Sequence, residues 1–219
     1  MTGIPKKSVL VIGASRGIGL ELARQYLAAG WEVHATTRTP DEPGRLGELQ
    51  GDVAIHPFEV RDDAQLALLA RTVGTVDVVI HNAGVGSGTP RPEMMAVNAE
   101  APIRTIEALL DAGALGPGGK VVLVSSQLGA RQGNQDSLGD YGDSKAALND
   151  ELRLRAPGWA EQGLIAIVLH PGWVRTDMGG RAATLSVEES VTGIRNLVEG
   201  LTDAHNGRFW TWDGREHPW

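Results

Sequence analysis

Short apolar runs alternate with longer amphipathic segments along the whole chain. Several of the runs are apolar throughout, as strands covered on both faces must be. We predict seven strands, at residues 9–12, 32–37, 53–57, 76–81, 120–125, 164–169 and 207–212. Helical patterns lie between them, at residues 17–29, 62–72, 93–112, 139–156 and 187–201. This alternation predicts an α/β fold, with a doubly wound, mainly parallel sheet and helices on both of its faces.

Length and composition fit one globular domain. The 219 residues lie near the upper end of what one core supports, so we expect residues 1–219 to form a single domain. Hydrophobic residues make up 42% and charged residues 21%, which disfavours disordered, collagen-like and coiled-coil chains. The net charge is −7 and the basic residues are scattered. This argues against nucleic-acid binding and favours a small-molecule ligand.

The chain contains no cysteine. Disulfides and thiolate metal sites are therefore excluded, and we predict no metal site. The first strand pattern begins within ten residues of the N-terminus, and the chain lacks an apolar run of about eighteen residues. We therefore expect no signal peptide, no membrane association and a cytoplasmic location.

A glycine-rich turn follows the first predicted strand. Residues 13–19 read GASRGIG and place Gly13, Gly17 and Gly19 between a strand and a helix. Such a turn lets the backbone approach a pyrophosphate, and the helix N-terminus attracts negative charge. The spacing is GxxxGxG, not the commoner GxGxxG of dinucleotide-binding turns. A turn that only packs the strand against the helix is therefore the alternative.

The end of the second strand indicates which dinucleotide is preferred. An acid at this place would hold a ribose 2′-hydroxyl, but Thr36 and Thr37 are followed by Arg38. A guanidinium there, together with Arg16 in the glycine turn, suits a 2′-phosphate. We therefore predict NADPH or NADP in preference to NADH or NAD. The alternative is that Arg38 is an ordinary solvated arginine.

Six motifs in order along the chain resemble those of the short-chain dehydrogenase/reductase family. They are GASRGIG (13–19), HNAG (81–84), VN (97–98), VVLVSS (121–126), YGDSK (141–145) and HPGWVRTDM (170–178). The resemblance covers most of the chain and implies a Rossmann-type fold. YGDSKAALN, HPGWVRTDMGG and the ending GRFWTWDGREHPW are similar to the sniffer-type carbonyl reductases and the C-factor-like branch, where some members have signalling roles.

The resemblance implies a catalytic tetrad of Asn98, Ser126, Tyr141 and Lys145. Tyr141 would protonate a carbonyl oxygen, Ser126 would orient the carbonyl, and Lys145 would hold the nicotinamide ribose. Tyr141 and Lys145 stand four positions apart, so they share a helix face, as two exposed polar residues also can. One cation about 4 Å from a phenol supplies about 4 kcal/mol at an effective dielectric near 20. We therefore expect Lys145 to lower the pKa of Tyr141 from about 10 towards about 7.

The role that the resemblance implies for Asn98 is to hold a relay water through its backbone carbonyl. Pro102, four residues later, has no N–H to donate to that carbonyl. The local chemistry therefore agrees with the implied role. A kink that serves only packing is the alternative.

The resemblance also implies a set of cofactor contacts. Tyr141 and Lys145 belong to it, and Val60 would contribute through its backbone alone. The others are Gly13, Ser15, Arg16, Gly17, Ile18, Gly19, Arg38, Glu59, Asn82, Ala83, Gly84, Pro171, Gly172, Val174 and Thr176.

Three departures from the family pattern are visible. His81 replaces the first asparagine of the family's NNAG motif, and Glu59 stands where the family has an aspartate that contacts adenine. Ser126 and Tyr141 are fifteen positions apart, two more than the commonest family spacing. We therefore expect residues 130–139 to bulge and to touch the substrate.

These observations together predict an NADPH-dependent reductase of an aldehyde or ketone, with a small-molecule substrate. Its pocket should be lined by the loop after Gly84, by residues 127–137 and by residues 173–180. A non-catalytic, dinucleotide-binding regulator of the C-factor type is the alternative, and an isomerase is a third reading that the short C-terminal region disfavours. The resemblance also implies a homo-oligomer, dimer or tetramer, paired through the helices that carry Asn98 and Tyr141. The Trp-rich tail that ends at Trp219 offers further apolar surface for association.

Overall fold

A computed structural model of the chain describes residues 6–131 and 139–219. In these residues seven strands form one sheet in the order β3-β2-β1-β4-β5-β6-β7, and every neighbouring pair is parallel. The strands are β1 Ser8–Ile12, β2 Glu32–Thr37, β3 Val53–Pro57, β4 Val78–His81, β5 Lys120–Val124, β6 Ile165–His170 and β7 Phe209–Thr211. The predicted doubly wound parallel sheet is confirmed.

Helices connect the strands on both sides of the sheet. They are α1 Gly17–Ala28, α2 Asp63–Thr72, α3 Arg91–Met95, α4 Ala101–Asp111, α5 Gly139–Glu161 and α6 Val187–Glu199. The start of α2 is fixed by Asp62, whose carboxylate accepts hydrogen bonds from the N–H groups of Ala64 and Gln65. In α6, Ser186 and Glu189 form a capping box. In the described part of the chain, none of the helices is long and apolar enough to cross a membrane.

The end of α5 differs most from its predicted position. We predicted an end at residue 156, before Pro157, but the helix continues to Glu161. Trp159 in the last turn is 4% exposed and packs in the core, and this packing outweighs the backbone hydrogen bond that proline cannot make. The other predicted bounds lie within two residues of the observed ones.

The predicted helix 93–112 contains a π turn. It consists of α3, the π turn Ala96–Glu100 and α4, which follow one another without a gap. Pro102 lies just after this turn and lacks the N–H that a regular α-helix would donate to the carbonyl of Asn98. The proline therefore explains why the helix widens where Asn98 lies.

The sheet separates two hydrophobic cores. In β1, Leu10 and Ile12 belong to the core that packs against α2, α4 and α5, whereas Val9 and Val11 belong to the core that packs against α1 and α6. Both faces of the strand are thus buried, which explains the uninterrupted apolar runs.

Strands β1 and β4 are neighbours in the centre of the sheet, with Ile12 opposite His81. On one side of this pair the chain proceeds to β2 and β3, and on the other side to β5, β6 and β7. Ligands of doubly wound sheets bind where the strand order reverses, beyond the carboxyl ends of the strands. The candidate site lies at this place.

Candidate active site

A cleft of about 360 Å³ lies beyond the carboxyl ends of the central strands. It brings together residues from the loops that follow β1, β2, β3, β4 and β6 with the first turns of α5. The predicted site residues that line it are Gly13, Ser15, Arg16, Gly17, Ile18, Arg38, Glu59, Val60, Asn82, Ala83, Gly84, Tyr141, Lys145, Pro171 and Thr176.

The glycine loop packs directly against the end of β4. Gly13 has a φ of +82°, and a Cβ at this position would lie 2.8 Å from the Cα of Ala83. A Cβ on Gly19 would lie 2.1 Å from the carbonyl oxygen of Gly13. Asn82 Nδ2 donates a hydrogen bond of 2.9 Å to the same carbonyl oxygen. Gly13 is therefore required where the loop packs against the end of β4. Gly19 allows the helix to pack closely against the Gly13 carbonyl, and it does not line the cleft.

The N-terminus of α1 opens onto the cleft. Its N-cap residue, Arg16, makes no side-chain capping bond, and the first turn contains no acidic residue. Gly17 and Ile18 of this turn line the cleft. The first N–H groups of the helix and its positive dipole end are thus suited to an anion.

Alternating charges surround the outer end of the cleft. Glu59 lies between two guanidinium groups, 3.8 Å from Arg38 and 3.7 Å from Arg61. Arg61 also lies 3.4 Å from Glu93. Arg61 and Glu93 line the cleft but were not predicted, because they lie outside the six motifs and only the loop geometry brings them there.

Tyr141 and Ser126 are joined by a side-chain hydrogen bond. Burial raises the pKa of Tyr141, and the bond to Ser126 opposes that increase. The Ser126 hydroxyl also accepts a 3.2 Å hydrogen bond from the N–H of Leu128. The neighbouring Ser125 instead donates a 2.7 Å bond to Asn149 in the interior. The geometry therefore distinguishes Ser126 from Ser125 as the partner of Tyr141.

Lys145 is buried beneath Tyr141. Its Nζ donates a 2.9 Å hydrogen bond to the carbonyl oxygen of Val124 and lies 5.9 Å from the centroid of the Tyr141 ring. Burial lowers the pKa of Lys145 to about 8. The expectation that Lys145 lowers the pKa of Tyr141 is wrong for this structure, because the ammonium is directed at a backbone carbonyl and burial dominates at the phenol.

Asn98 lies behind the cleft and is completely buried. Its side-chain amide makes two hydrogen bonds to the backbone of Val85, with Oδ1 accepting at 2.8 Å and Nδ2 donating at 2.9 Å. A Cβ on Gly84 would lie 3.1 Å from Asn98 Oδ1 and 3.6 Å from Lys145 Nζ. The Gly84 backbone therefore lies between Asn98 and the cleft. The Lys145 ammonium lies next to Gly84 on the same side as Asn98.

Comparison with known proteins shows the family to which the chain belongs. The family model for short chain dehydrogenases matches residues 7–185. The chain belongs to this family. C-signal from Myxococcus xanthus is 38% identical over 157 residues, which cover 67% of this dehydrogenase and 94% of that protein.

Two solved structures share the whole fold. The NADPH-bound carbonyl reductase from chicken fatty liver is 30% identical to this dehydrogenase, with a TM-score of 0.86, and the match covers 99% of this chain and 100% of that one. The carbonyl reductase Sniffer of D. melanogaster is 26% identical, with a TM-score of 0.89 and coverage of 98% and 100%.

The loop after β6 contributes only part of the predicted pocket. Asp177 and Met178 line the cleft of this dehydrogenase, whereas Trp173 lies outside the lining and donates a 2.9 Å bond to the Gly179 carbonyl. Val174 is 3% exposed and also lies outside the lining. A Cβ on Gly172 would lie 2.2 Å from Leu185 Cδ1, so this glycine permits close packing at the loop. The predicted bulge at residues 130–139 falls mainly on residues 132–138, outside the described residues.

His81, the departure from the family's NNAG motif, is a core residue of this dehydrogenase. It is 1% exposed. Burial, and secondly the charge of Lys145, lower the pKa of His81 to about 3. The imidazole is therefore neutral at physiological pH. In the described part of the chain, no group of three or more His, Asp or Glu residues could hold a metal ion.

Proposed function

We propose that this dehydrogenase reduces the carbonyl group of an aldehyde or ketone to an alcohol, with NADPH as the preferred cofactor. The observation that supports this most is the pairing of Tyr141 with Ser126 next to the buried Lys145, with Tyr141 and Lys145 lining the same cleft as the glycine loop. The structural likeness to two carbonyl reductases supports the same reaction.

The residues around the cleft fit a nicotinamide dinucleotide. Gly13 and Gly17 leave the backbone free of side chains, and the uncapped N-terminus of α1 suits a pyrophosphate. Arg38 and Arg16 supply guanidinium groups for a 2′-phosphate. The cofactor, when bound, supplies the hydride that the carbonyl carbon accepts. The bound NADPH in the chicken carbonyl reductase supports the same choice for this chain.

The proton is proposed to come from Tyr141. The hydroxyl groups of Ser126 and Tyr141 hold the carbonyl oxygen of the substrate, and Tyr141 donates its proton to that oxygen as the carbon is reduced. Lys145, with a pKa of about 8, is mainly protonated at neutral pH, and we assign to its ammonium the role of holding the nicotinamide ribose. Asn98 completes the tetrad through the backbone carbonyl to which Pro102 cannot donate a hydrogen bond.

Replacing Tyr141 by Phe tests the proposed acid. We expect kcat to fall by about 100-fold or more with a panel of aldehydes and ketones, since general acid catalysis supplies that much. The affinity for NADPH, measured by quenching of tryptophan fluorescence, should change little. Tyr26→Phe is the matched control. The chain has only two tyrosines, and Tyr26 is buried in the core that packs against α1 and α6, away from the cleft. Unchanged turnover in Tyr141→Phe would refute the assignment.

Replacing Arg38 by Asp tests the cofactor preference. We expect the Kd for NADPH to rise by about tenfold or more and the Kd for NADH to fall or stay the same, because a carboxylate repels the 2′-phosphate. Arg208→Asp is the control, since Arg208 is also exposed and pairs with Glu216 outside the cleft. A preference for NADPH that survives in Arg38→Asp would contradict the role of this arginine.

A non-catalytic signalling function is the second candidate, and the likeness to C-signal favours it. In that case the cofactor would set a conformation that a protein partner recognises. A regulator of this kind has no need for Tyr141 and Ser126 together. Binding of NADPH without turnover of any carbonyl compound would favour the regulator over the reductase.

A further inference from the structure

Ser144 joins two helical segments of the site from inside the protein. Its side chain is completely buried. The hydroxyl donates a 2.7 Å hydrogen bond to the backbone carbonyl of Tyr141 and accepts a 3.0 Å bond from Nδ2 of Asn98. Ser144 therefore connects the first turn of α5 to the π turn Ala96–Glu100, which lies 46 positions away from it in sequence.

The connection continues from Asn98 to the loop after β4. The Asn98 amide has two N–H donors, and they are used by the Val85 carbonyl and the Ser144 hydroxyl. Its oxygen accepts from the Val85 N–H. An unbroken chain of hydrogen bonds thus leads from Val85 through Asn98 and Ser144 to the backbone of Tyr141. Removing the Ser144 hydroxyl would leave a buried N–H of Asn98 without its partner, which is costly in the interior.

Exposed ion pairs also contact the first turn of α5. Arg91 Nη1 lies 2.8 Å from Asp140 and 2.7 Å from Asp143, with half of the Arg91 side chain exposed. Exposed ion pairs hold a helix end weakly, and helix ends fray because their first N–H groups lack partners within the helix. The buried bond of Ser144 is therefore the stronger constraint on the turn that presents Tyr141.

We propose that Ser144 is a positioning residue, which fixes the backbone of Tyr141 relative to Asn98 and so aims the phenol at the substrate oxygen. This inference rests on the proposed function, because it assigns to Ser144 an effect on the proton transfer by Tyr141. Ser144 itself is absent from the lining of the cleft.

The kinetic test compares Ser144→Ala with the wild-type protein and with two further variants. We expect kcat to fall by about tenfold or more, because small displacements of a catalytic group are costly, while the Kd for NADPH changes less than about twofold. The solvent deuterium isotope effect on kcat should rise, since proton donation becomes slower. Ser144→Thr should recover part of the loss, because a threonine hydroxyl can also bond a carbonyl one turn earlier.

Thr105→Val is the matched control. Thr105 is equally buried, and its hydroxyl donates a 2.8 Å bond to the Ala101 carbonyl, one turn earlier in its own helix. It is absent from both the cleft lining and the chain of hydrogen bonds that leads to Tyr141. This variant should keep the kcat and the isotope effect of the wild-type protein.

Hydrogen exchange at the Val85 amide tests the same link without turnover. Ser144→Ala loosens the Asn98 side chain that accepts from this amide, so we expect exchange at Val85 to accelerate by about fivefold or more. Wild-type exchange at Val85, or wild-type kcat and isotope effect in Ser144→Ala, would overturn the proposal. A wild-type protein that reduces no carbonyl compound would instead refute the proposed function, while the exchange of Val85 would still decide the link through Ser144.

Discussion

Arg16 in the glycine loop forms an ion pair with Asp177 in the loop after β6, with Nη1 and Oδ2 2.9 Å apart. The two side chains are 74% and 76% exposed, and both line the cleft. Exposed pairs of this kind add less than about 1 kcal/mol to stability. The pair therefore matters mainly for ligand binding in the cleft. The Asp177 carboxylate binds the Arg16 guanidinium, which we assign to a cofactor phosphate.

Asp177→Asn should strengthen cofactor binding. The substitution removes a negative charge near the phosphates and frees Arg16, so we expect the Kd for NADPH to fall by about threefold, and the Kd for NADH by less. Fluorescence titration at low and high salt measures both values. Asp213→Asn, which breaks a pair with Arg215 outside the cleft, should have no effect. Weaker NADPH binding in Asp177→Asn would show instead that Asp177 holds Arg16 in its binding orientation.

The two tyrosines can be titrated separately, and this tests the contact between Ser126 and Tyr141. Burial raises the pKa of Tyr26 strongly and that of Tyr141 as well, while the bond to Ser126 lowers the pKa of Tyr141. In a Tyr26→Phe background, tyrosinate absorbance therefore reports on Tyr141 alone. Ser126→Ala should move this titration to higher pH, and Lys145→Met should move it less. If Lys145→Met shifts the pKa of Tyr141 more than Ser126→Ala does, the Lys145 cation is the main influence on that pKa after all.

The sequence predicted those features that depend on a local run of residues or on a single residue type. Uninterrupted apolar runs indicate strands buried on both faces, and Pro102 indicates a break beside Asn98 because proline lacks an N–H wherever it occurs. Contacts between distant loops were not predictable in this way. Arg16 and Asp177 are 161 positions apart, and nothing local marks them as partners. The pKa of Tyr141 was also wrongly predicted, since four positions along a helix do not determine where the Lys145 ammonium points.

His81→Asn should make the fold less sensitive to acid. The folded-state pKa of His81 is about 3, below its ordinary value of 6.5. The unfolded chain therefore binds the proton first, and stability falls as pH drops below 6.5 by about 1.4 kcal/mol per unit. Between pH 7.5 and pH 5, we expect the variant to lose about 2 kcal/mol less unfolding free energy than the wild-type protein. Urea denaturation at both pH values measures this.

Lys145→Met should stabilise the fold at neutral pH while abolishing turnover. Burial lowers the pKa of Lys145 from 10.5 to about 8, so the folded state binds its proton less tightly than the unfolded state does. This costs on the order of 3 kcal/mol at pH 7, and the cost disappears as pH rises from 8 to 10.5.

Methionine avoids this cost but loses the hydrogen bond to Val124, worth about 1 kcal/mol, so we expect a net gain of about 2 kcal/mol at pH 7. Urea denaturation at pH 7 and pH 10 should show a gain that shrinks at the higher pH, whereas Lys6→Met, at a half-exposed lysine, should show none. A variant less stable than the wild-type protein at pH 7 would mean that the Val124 bond outweighs the burial of the charge. The expected gain would instead mean that the fold gives up stability to keep a cation beneath Tyr141.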